Sequence, residues 1–347
     1  MLYTSVSANE ECLKMKQLST DTLKKMLAYR RPHLGTGVHL FVERFILCDN
    51  GADSLIQDEM GNVVAVVGYK GEFTLDTIED DMPQTLFCSH VDTVHRSDGF
   101  QTVLHSATNI LGVPENEHCL GADDGAGVWL MLNMMRKGVK GVYIFHQGEE
   151  RGGLGSRHMA KTHPEFLAQF DRAIAFDRAG TNDVITYQST GMCCSDEFAT
   201  QLSGLLSKGG MDYLPCDGGV YTDTAEYTHL IPECTNIAVG YFNEHSDNET
   251  LDLTHLETLR NTLLNLEWDS LLVARDAGDD GFELESAYVK LRDHFDEFGD
   301  IYDTCSVDEV DDRESFNRQP LTESQAWELV VNEPTTAVDM LIACYGS

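Results

Sequence analysis

The chain has 347 residues, of which 42% are hydrophobic, and it carries a formal net charge of −34 at pH 7. This charge argues against nucleic acid and anionic membranes as partners, because both are bound by clustered Lys and Arg. We find neither an apolar run of membrane-spanning length nor the apolar stretch of a secretory signal. We therefore expect a cytoplasmic protein whose ten cysteines remain thiols.

Segments rich in Val, Ile and aromatic residues alternate along the chain with segments of helical periodicity. The predicted strands are 61–69, 84–90, 141–147, 172–177, 183–188 and 235–241, and the predicted helices are 125–136, 153–163, 196–207, 222–230 and 253–273. This alternation predicts an α/β fold, a three-layer sandwich in which helices flank a mostly parallel, mixed central sheet. In such sheets, binding sites form beyond the carboxyl ends of the strands.

The last fifth of the chain differs in composition from the rest. Residues 276–347 contain 19 Asp plus Glu against 4 Lys plus Arg, a net charge of −15. Stretches such as FELESAYVKLRDHFDEF keep a helical periodicity with an apolar face. We therefore predict a main domain at 1–275 and a small, acidic, helical appendage at 276–347.

Polar residues that can carry chemistry are concentrated in five short segments. These are SHVDTV (89–94), LGADDGAGV (120–128), HQGEERGGLGS (146–156), AFDRAG (175–180) and YFNEHSDNETLDL (241–253). Each is weak alone, since an Asp pair before a helix can serve as an N-cap and a lone His in a loop is usually surface decoration. The first, third and fourth follow predicted strands directly, so we expect them to converge at one edge of the sheet.

Together the segments supply two histidines, His90 and His245, and carboxylates from the pairs Asp123–Asp124 and Glu149–Glu150 and from Asp177. Zinc takes imidazole nitrogen and carboxylate oxygen, and hydrolytic sites leave a position open for water. Two His, two terminal carboxylates and one bridging carboxylate would give each of two ions three protein ligands. We predict two Zn²⁺ in a hydrolase, with Mn²⁺ or Co²⁺ as alternatives, since the same donors accept all three.

The series HxD, GADDxAG, EE before GLGS, a strand-ending Asp and a late HSxNE-type histidine resembles the co-catalytic zinc exopeptidases, over roughly residues 20–270. This superfamily includes bacterial leucyl aminopeptidases, peptidase T and carboxypeptidase G-like and aminoacylase-like enzymes. The resemblance implies the following roles: His90 and Asp177 hold one zinc, Glu150 and His245 hold the other, Asp123 bridges them, Asp92 orients His90, and Glu149 is the general base. Asp124 remains the alternative bridge.

The resemblance also has limits. Only 67 residues separate Asp177 from His245, so the lid domain that carboxypeptidase G-like enzymes carry there should be missing from the catalytic domain, residues 1–275. The acidic appendage has no counterpart in the family pattern.

The substrate class stays open at this stage. The acidic composition favours an aminopeptidase or short-peptide exopeptidase, which holds a free ammonium. Arg151 and Arg178 follow predicted ligands directly and could instead bind a carboxylate, as a carboxypeptidase or an N-acyl amino acid amidohydrolase requires. A third reading is a non-catalytic metal-binding scaffold on a degenerate hydrolase fold. We therefore expect a peptide or an N-acyl amino acid as the substrate, and the sequence leaves an oligomer open.

Overall fold

The computed structural model describes residues 17–48, 50–76, 81–115 and 117–281. The predicted appendage lies outside the described residues from position 282 onward, so its helical character stays a prediction. The α-helices of the described residues are α1 (Thr20–Leu27), α2 (Thr36–Phe41), α3 (Ala122–Lys137), α4 (Leu154–Thr162), α5 (Pro164–Leu167), α6 (Asp196–Ser207) and α7 (Leu253–Leu263). A π-helical turn, Val42–Ile46, extends α2, and short 3-10 helices lie at Glu149–Arg151, Asp223–Tyr227 and Trp268–Ser270.

The strands of the described residues form one large sheet and three small ones. They are β1 (Tyr29–Arg30), β2 (Ser54–Gln57), β3 (Val63–Val67), β4 (Thr85–His90), β5 (Gly99–Phe100), β6 (Leu104–His105), β7 (Ile110–Gly112), β8 (Gly141–His146), β9 (Arg172–Arg178), β10 (Asp183–Ile185), β11 (Tyr187–Gln188), β12 (Gly191–Met192), β13 (Leu214–Cys216), β14 (Glu233–Ala238), β15 (Tyr241–Phe242) and β16 (Thr250–Asp252).

The large sheet has eight strands in the order β13-β10-β14-β9-β4-β8-β3-β2. Its four central strands, β14, β9, β4 and β8, are parallel to one another. Strands β3 and β2 continue the sheet antiparallel on one side, and β10 pairs antiparallel with β14 on the other. This arrangement confirms the predicted mostly parallel, mixed sheet.

Helices cover both faces of this sheet, because its central strands are apolar on both sides. In β4, Phe87 faces a core that includes side chains of α1, α3, α6 and α7, and its ring packs against Tyr143 and Phe176. The preceding Leu86 faces the opposite core, which contains Met159 of α4 and Phe166 of α5. The alternation of β4 therefore fixes the three layers, as predicted.

Three predicted elements differ from the structure. The predicted strand 183–188 is divided at Thr186 into β10 and β11; the N–H of Thr186 donates to the carbonyl of Cys216, and its carbonyl accepts the N–H of Cys193. The predicted helix 222–230 is only a short 3-10 helix, in which Asp and Thr are poor helix formers. The predicted helix 253–273 ends at Leu263, where the indole N–H of Trp268 donates to the carbonyl of Leu263 as that ring enters the core.

The cysteines of the described residues are free thiols. Cys193 and Cys194 are both fully buried and behave as small apolar side chains. None of the helices in the described part of the chain has the length and apolar character needed to cross a bilayer.

Candidate metal centre

The five polar segments meet at the carboxyl ends of the parallel strands. His90 is the last residue of β4, and it lies in register with His146, the last residue of β8. Asp177 lies near the end of β9, and Glu149 follows β8 in a 3-10 turn. The local rule that polar residues after buried strands share one edge therefore holds here.

Two groups of side chains could each hold a metal ion, and Asp123 belongs to both. In the first group, Nε2 of His90 lies 2.9 Å from Oδ1 of Asp123 and 3.4 Å from Oδ1 of Asp177. In the second, Nε2 of His245 lies 2.9 Å from Oδ2 of Asp123 and 3.0 Å from Oε2 of Glu150. Ligand atoms around a tetrahedral zinc lie about 3.3 Å apart, so both groups suit such an ion.

The electrostatics of these groups also favour cations. Burial lowers the pKa of His90, but the charge of Asp177 and a hydrogen bond with Asp123 raise it well above the usual value. Hydrogen bonds with Asp123 and Glu150 raise the pKa of His245 to about 11. Clustered carboxylates thus bind positive charge strongly, and divalent cations can supply that charge in place of protons.

The loop that carries Asp123 is held by a buried carboxylate, Glu249. Its Oε2 accepts hydrogen bonds from the N–H groups of Leu120 and Gly121, at 2.7 and 2.9 Å. Its Oε1 accepts from Ala122 and Asp123, at 2.7 and 3.0 Å. Four backbone donors on one carboxylate fix the position of Asp123 between the two imidazoles.

A buried guanidinium joins the same loop to the end of β4. Arg31 donates through Nε to the carbonyl of Val91 at 2.8 Å and through Nη2 to the carbonyl of Gly121 at 2.9 Å. Its guanidinium also lies 4.5 Å from the centre of the Phe41 ring. Arg31 therefore fixes the distance between the two segments that carry His90 and Asp123.

Asp124 has a structural position rather than one between the imidazoles. Its Oδ1 accepts the N–H of Gly127 at 3.0 Å, as an N-cap does, and its Oδ2 accepts the N–H of His90 at 3.1 Å. Asp123 and Asp124 have non-helical dihedral angles, and the peptide bond between them is cis. A Cβ at position 127 would lie 2.4 Å from the Phe176 carbonyl, so only Gly permits this close approach.

Asp92 contacts His90 through its backbone carbonyl. Nδ1 of His90 lies 3.0 Å from the backbone carbonyl of Asp92 and 3.8 Å from its carboxylate, so the backbone oxygen orients the ring. The carboxylate instead accepts the N–H groups of Gly148 and Glu149, at 2.8 and 3.3 Å. Asp92 thus positions the turn that carries Glu149 and Glu150, where Gly148 adopts a left-handed φ of +76°.

The remaining candidate ligands are held by their neighbours. The hydroxyl of Thr222 donates to Oδ2 of Asp177 at 2.7 Å, and that of Tyr241 donates to Oδ1 at 3.1 Å. His245 has a φ of +61° in a tight loop, where the hydroxyl of Ser246 donates to the carbonyl of Asn243 at 2.7 Å. A left-handed backbone is uncommon for residues other than Gly, and here it accompanies an imidazole that reaches Asp123.

A buried pair lies close to this centre. Nδ1 of His146 is 3.2 Å from Oδ2 of Asp223, and its Nε2 is 2.6 Å from the hydroxyl of Tyr227. Burial lowers the pKa of His146 to about 3 and raises that of Asp223 to about 7. In mildly acidic solution both groups are therefore neutral, because Asp223 holds the one titratable proton of the pair and His146 holds none.

A cavity of about 320 Å³ opens onto the centre. Its lining residues are Asp123, Glu149, Asp177, Arg178, Ala179, Ile185, Gln188, Gly219, Val220, Tyr221, Asn236, Tyr241, Glu244 and His245. Arg151 is exposed in the 3-10 turn and does not line this cavity, so its role as a substrate-binding residue stays a prediction. Arg178 does line the cavity, but its guanidinium is paired with Asp183 at 2.9 Å.

The sequence comparison identifies the family. The model for peptidase family M28 matches residues 74–260, more than half of the chain. This chain belongs to peptidase family M28. The M28 chain is therefore a metallopeptidase, which confirms the predicted hydrolase and the resemblance to co-catalytic zinc exopeptidases. A comparison with curated proteins gives no match.

Solved structures share the fold of this M28 chain. The aminopeptidase PepT from Bacillus cereus superposes with a TM-score of 0.54 and 14% identity, over 71% of this chain and 96% of that one. A tripeptidase from Staphylococcus aureus gives 0.56 and 14%, over 71% and 95%. The TET1 peptidase of Pyrococcus horikoshii, which can assemble into a tetrahedron or a large octahedral shell, gives 0.50 and 14%, over 72% and 99%.

Sequence reasoning missed several residues that build the centre of this M28 peptidase. They are Arg31, Thr222, Asp223, Tyr241 and Glu249. Glu249 is the last residue of the HSxNE pattern, but that pattern points to its histidine and gives Glu249 no role. Its importance depends on contacts with residues about 130 positions earlier in the chain.

Replacing Glu249 by Gln should weaken metal binding. The amide cannot accept all four hydrogen bonds, so the Asp123 loop loses part of its support. We expect metal affinity to fall about 10- to 100-fold, as for other partners of metal ligands. Competition with a chromogenic chelator would measure the change. Glu197→Gln, an exposed change on α6, is the matched control and should leave the affinity unaltered.

Replacing Asp223 by Asn should make stability depend on pH. Between about pH 4 and 6.5, unfolded His146 carries a proton and unfolded Asp223 does not. The folded pair also holds one proton over this range, since the pKa of Asp223 is about 7 and that of His146 about 3. The folded variant holds none, so its free energy of unfolding should fall as the pH falls, by up to about 1.4 kcal/mol per pH unit relative to the wild type.

Urea unfolding of the metal-free wild type and variant at about pH 7, 6 and 5 measures this difference. Parallel stability curves for the two proteins would show that His146 is protonated in the folded variant, contrary to expectation.

Proposed function

We propose that this chain is an aminopeptidase or short-peptide exopeptidase that hydrolyses peptide bonds with two bound metal ions, preferably zinc. The observation that carries the proposal is the carboxylate of Asp123, whose two oxygens each lie 2.9 Å from a different imidazole. A carboxylate shared in this way is what a bridging ligand between two metal ions requires.

The proposed ligands divide between the two ions. His90, Asp177 and one oxygen of Asp123 would hold the first, while His245, Glu150 and the other oxygen of Asp123 would hold the second. These donors fit zinc, and Mn²⁺ or Co²⁺ accept the same set. When bound, such ions lower the pKa of a coordinated water and polarise a scissile carbonyl.

Glu149 is the proposed general base. Its Oε2 lies 4.0 Å from Nε2 of His90, and its side chain lines the cavity. Burial raises its pKa, with His90 opposing this and the charge of Asp177 adding to it. Two bound cations would favour the ionised form of Glu149, in which it can take the proton of the attacking water and return it to the leaving amine.

The proposed catalytic domain is residues 1–275, without an inserted lid. Between Asp177 and His245, the chain supplies strands β10, β13 and β14 to the large sheet and α6 to its face. The described residues between Asp177 and His245 therefore form part of the main sheet and its helical layer and do not form an inserted lid domain.

The charges of the cavity favour a substrate with a free amino group. Of the residues that line it, Arg178 is the one Lys or Arg, and its charge is offset by Asp183. Four acids line the same cavity: Asp123, Glu149, Asp177 and Glu244. Arg178 nevertheless supports a second candidate function, since a carboxypeptidase or an N-acyl amino acid amidohydrolase would need a cation at this place.

Replacing Glu149 by Gln tests the proposed base. The variant should retain about two metal ions per chain, because Glu149 is not among the proposed ligands. Its kcat should fall by about 10²- to 10⁴-fold, as expected for loss of a general base. Metal content by mass spectrometry and steady-state kinetics measure the two effects. Glu165→Gln, an exposed substitution on α5, serves as the control. Unchanged turnover in the Glu149 variant would assign the base to another group.

Matched substrates separate the two candidate functions. We expect the zinc-loaded chain to hydrolyse leucine p-nitroanilide and to leave its N-acetyl counterpart intact, because the cavity is acidic. N-acetyl-leucine and peptides blocked at the N-terminus complete the panel. Hydrolysis of the blocked compounds alone would favour the carboxypeptidase or amidohydrolase and contradict the aminopeptidase proposal.

A further inference from the structure

Glu244 is an acid in the cavity that is neither a proposed metal ligand nor the proposed base. It directly precedes His245, and both residues line the cavity. Neighbouring side chains of an extended strand point to opposite sides. Here the left-handed φ values of Asn243 (+55°) and His245 (+61°) turn the loop, so that both side chains reach the same space.

The carboxylate of Glu244 has no partner of its own. Within the described part of the chain, no hydrogen bond or ion pair involves this carboxylate. It is also only partly exposed. The cation that lines the cavity, Arg178, is engaged by Asp183 through both Nε and Nη2, at 3.0 and 2.9 Å.

Glu244 lies at the metal end of the cavity. It lines the cavity together with Asp123, Asp177 and His245, three of the proposed metal ligands. It also directly precedes His245 in the chain. The carboxylate is thus close to the place where the scissile carbonyl must lie.

With two metal ions bound at the centre, the negative charge of Glu244 would remain uncompensated. Two divalent cations carry four positive charges, which the three ligand carboxylates and Glu149 offset. Glu244 is then the remaining negative charge among the acids that line the cavity. An acid in that position favours a substrate cation.

The rest of the cavity wall indicates which substrate cation it is. Ala179, Ile185, Gly219 and Val220 form an apolar part of the wall, which suits an uncharged side chain. The α-nitrogen of an N-terminal residue is attached to the carbon next to the scissile carbonyl. It must therefore lie at the metal end, where Glu244 is, rather than against the apolar wall.

We propose that Glu244 binds the free α-ammonium of the substrate and so selects unblocked N-termini. The inference rests on the proposed exopeptidase function and adds a specificity-determining residue to it. Glu244 neither holds a metal ion nor transfers a proton in this proposal. Its loss should therefore affect KM far more than kcat.

The test is Glu244→Gln in the zinc-loaded full chain. For leucine p-nitroanilide, KM should rise about 10- to 100-fold, the usual value of a hydrogen bond to a charged group, while kcat changes little. Glu244→Asp should recover part of the loss. Asp247→Asn removes an exposed acid from the same loop outside the cavity lining, and it should behave as the wild type.

Inhibitors give a second readout that a loss of loop structure would not mimic. The Ki of L-leucinamide should rise in the Glu244→Gln variant, whereas the Ki of 4-methylpentanamide, which lacks the amino group, should stay unchanged. A parallel rise for both compounds would overturn the assignment. So would a variant that loses only its activity on lysine p-nitroanilide, since Glu244 would then bind a basic side chain.

Failure of this inference differs from failure of the proposed function. If the wild type hydrolyses leucine p-nitroanilide and the variant has the same KM, the role of Glu244 is wrong and the aminopeptidase stands. If the zinc-loaded wild type hydrolyses no substrate with a free amino group, the proposed function is wrong and this inference with it.

Discussion

The centre depends on holding several buried carboxylates close together, which is unfavourable unless positive charge or hydrogen-bond donors compensate them. Asp123 shows how the fold meets this constraint. Its two oxygens face two imidazoles, while its loop is fixed by four N–H groups that converge on Glu249. Arg31 adds a buried cation beside the loop. The site is therefore a property of the whole fold, because these supports come from both ends of the described chain.

The parts of this arrangement that sequence could predict are those with a local cause. A buried parallel strand is an apolar run, and the polar residue that ends it must lie at the edge of the sheet. This rule placed His90 and Asp177 correctly at the same edge. The roles within each acid pair, Asp123–Asp124 and Glu149–Glu150, were harder to predict, because the two members are the same residue type and differ only in where the backbone points their side chains. Asp124 turns inward to cap α3, while Asp123 faces the imidazoles.

Supports that act across long sequence distances could not be predicted. Glu249 is one acid among several in its segment, and its four hydrogen bonds appear only when β16 returns beside the Asp123 loop. Arg151 and Arg178 illustrate the same limit, because each follows an acid predicted as a ligand. Arg178 still belongs to β9 and lines the cavity, whereas the 3-10 turn leaves Arg151 exposed.

Charge balance connects metal binding with substrate selection in this fold. In the proposed function, the ligand carboxylates and Glu149 together would match the charge of two divalent cations, so the metal-loaded centre would repel neither sign of substrate strongly. Single charged residues of the cavity wall would then decide which end of a peptide binds. Pairing of Arg178 with Asp183 weakens attraction for carboxylates, and the unpaired Glu244 adds attraction for ammonium. In the proposed function, residues that touch no metal would therefore set which end of a peptide enters the cavity.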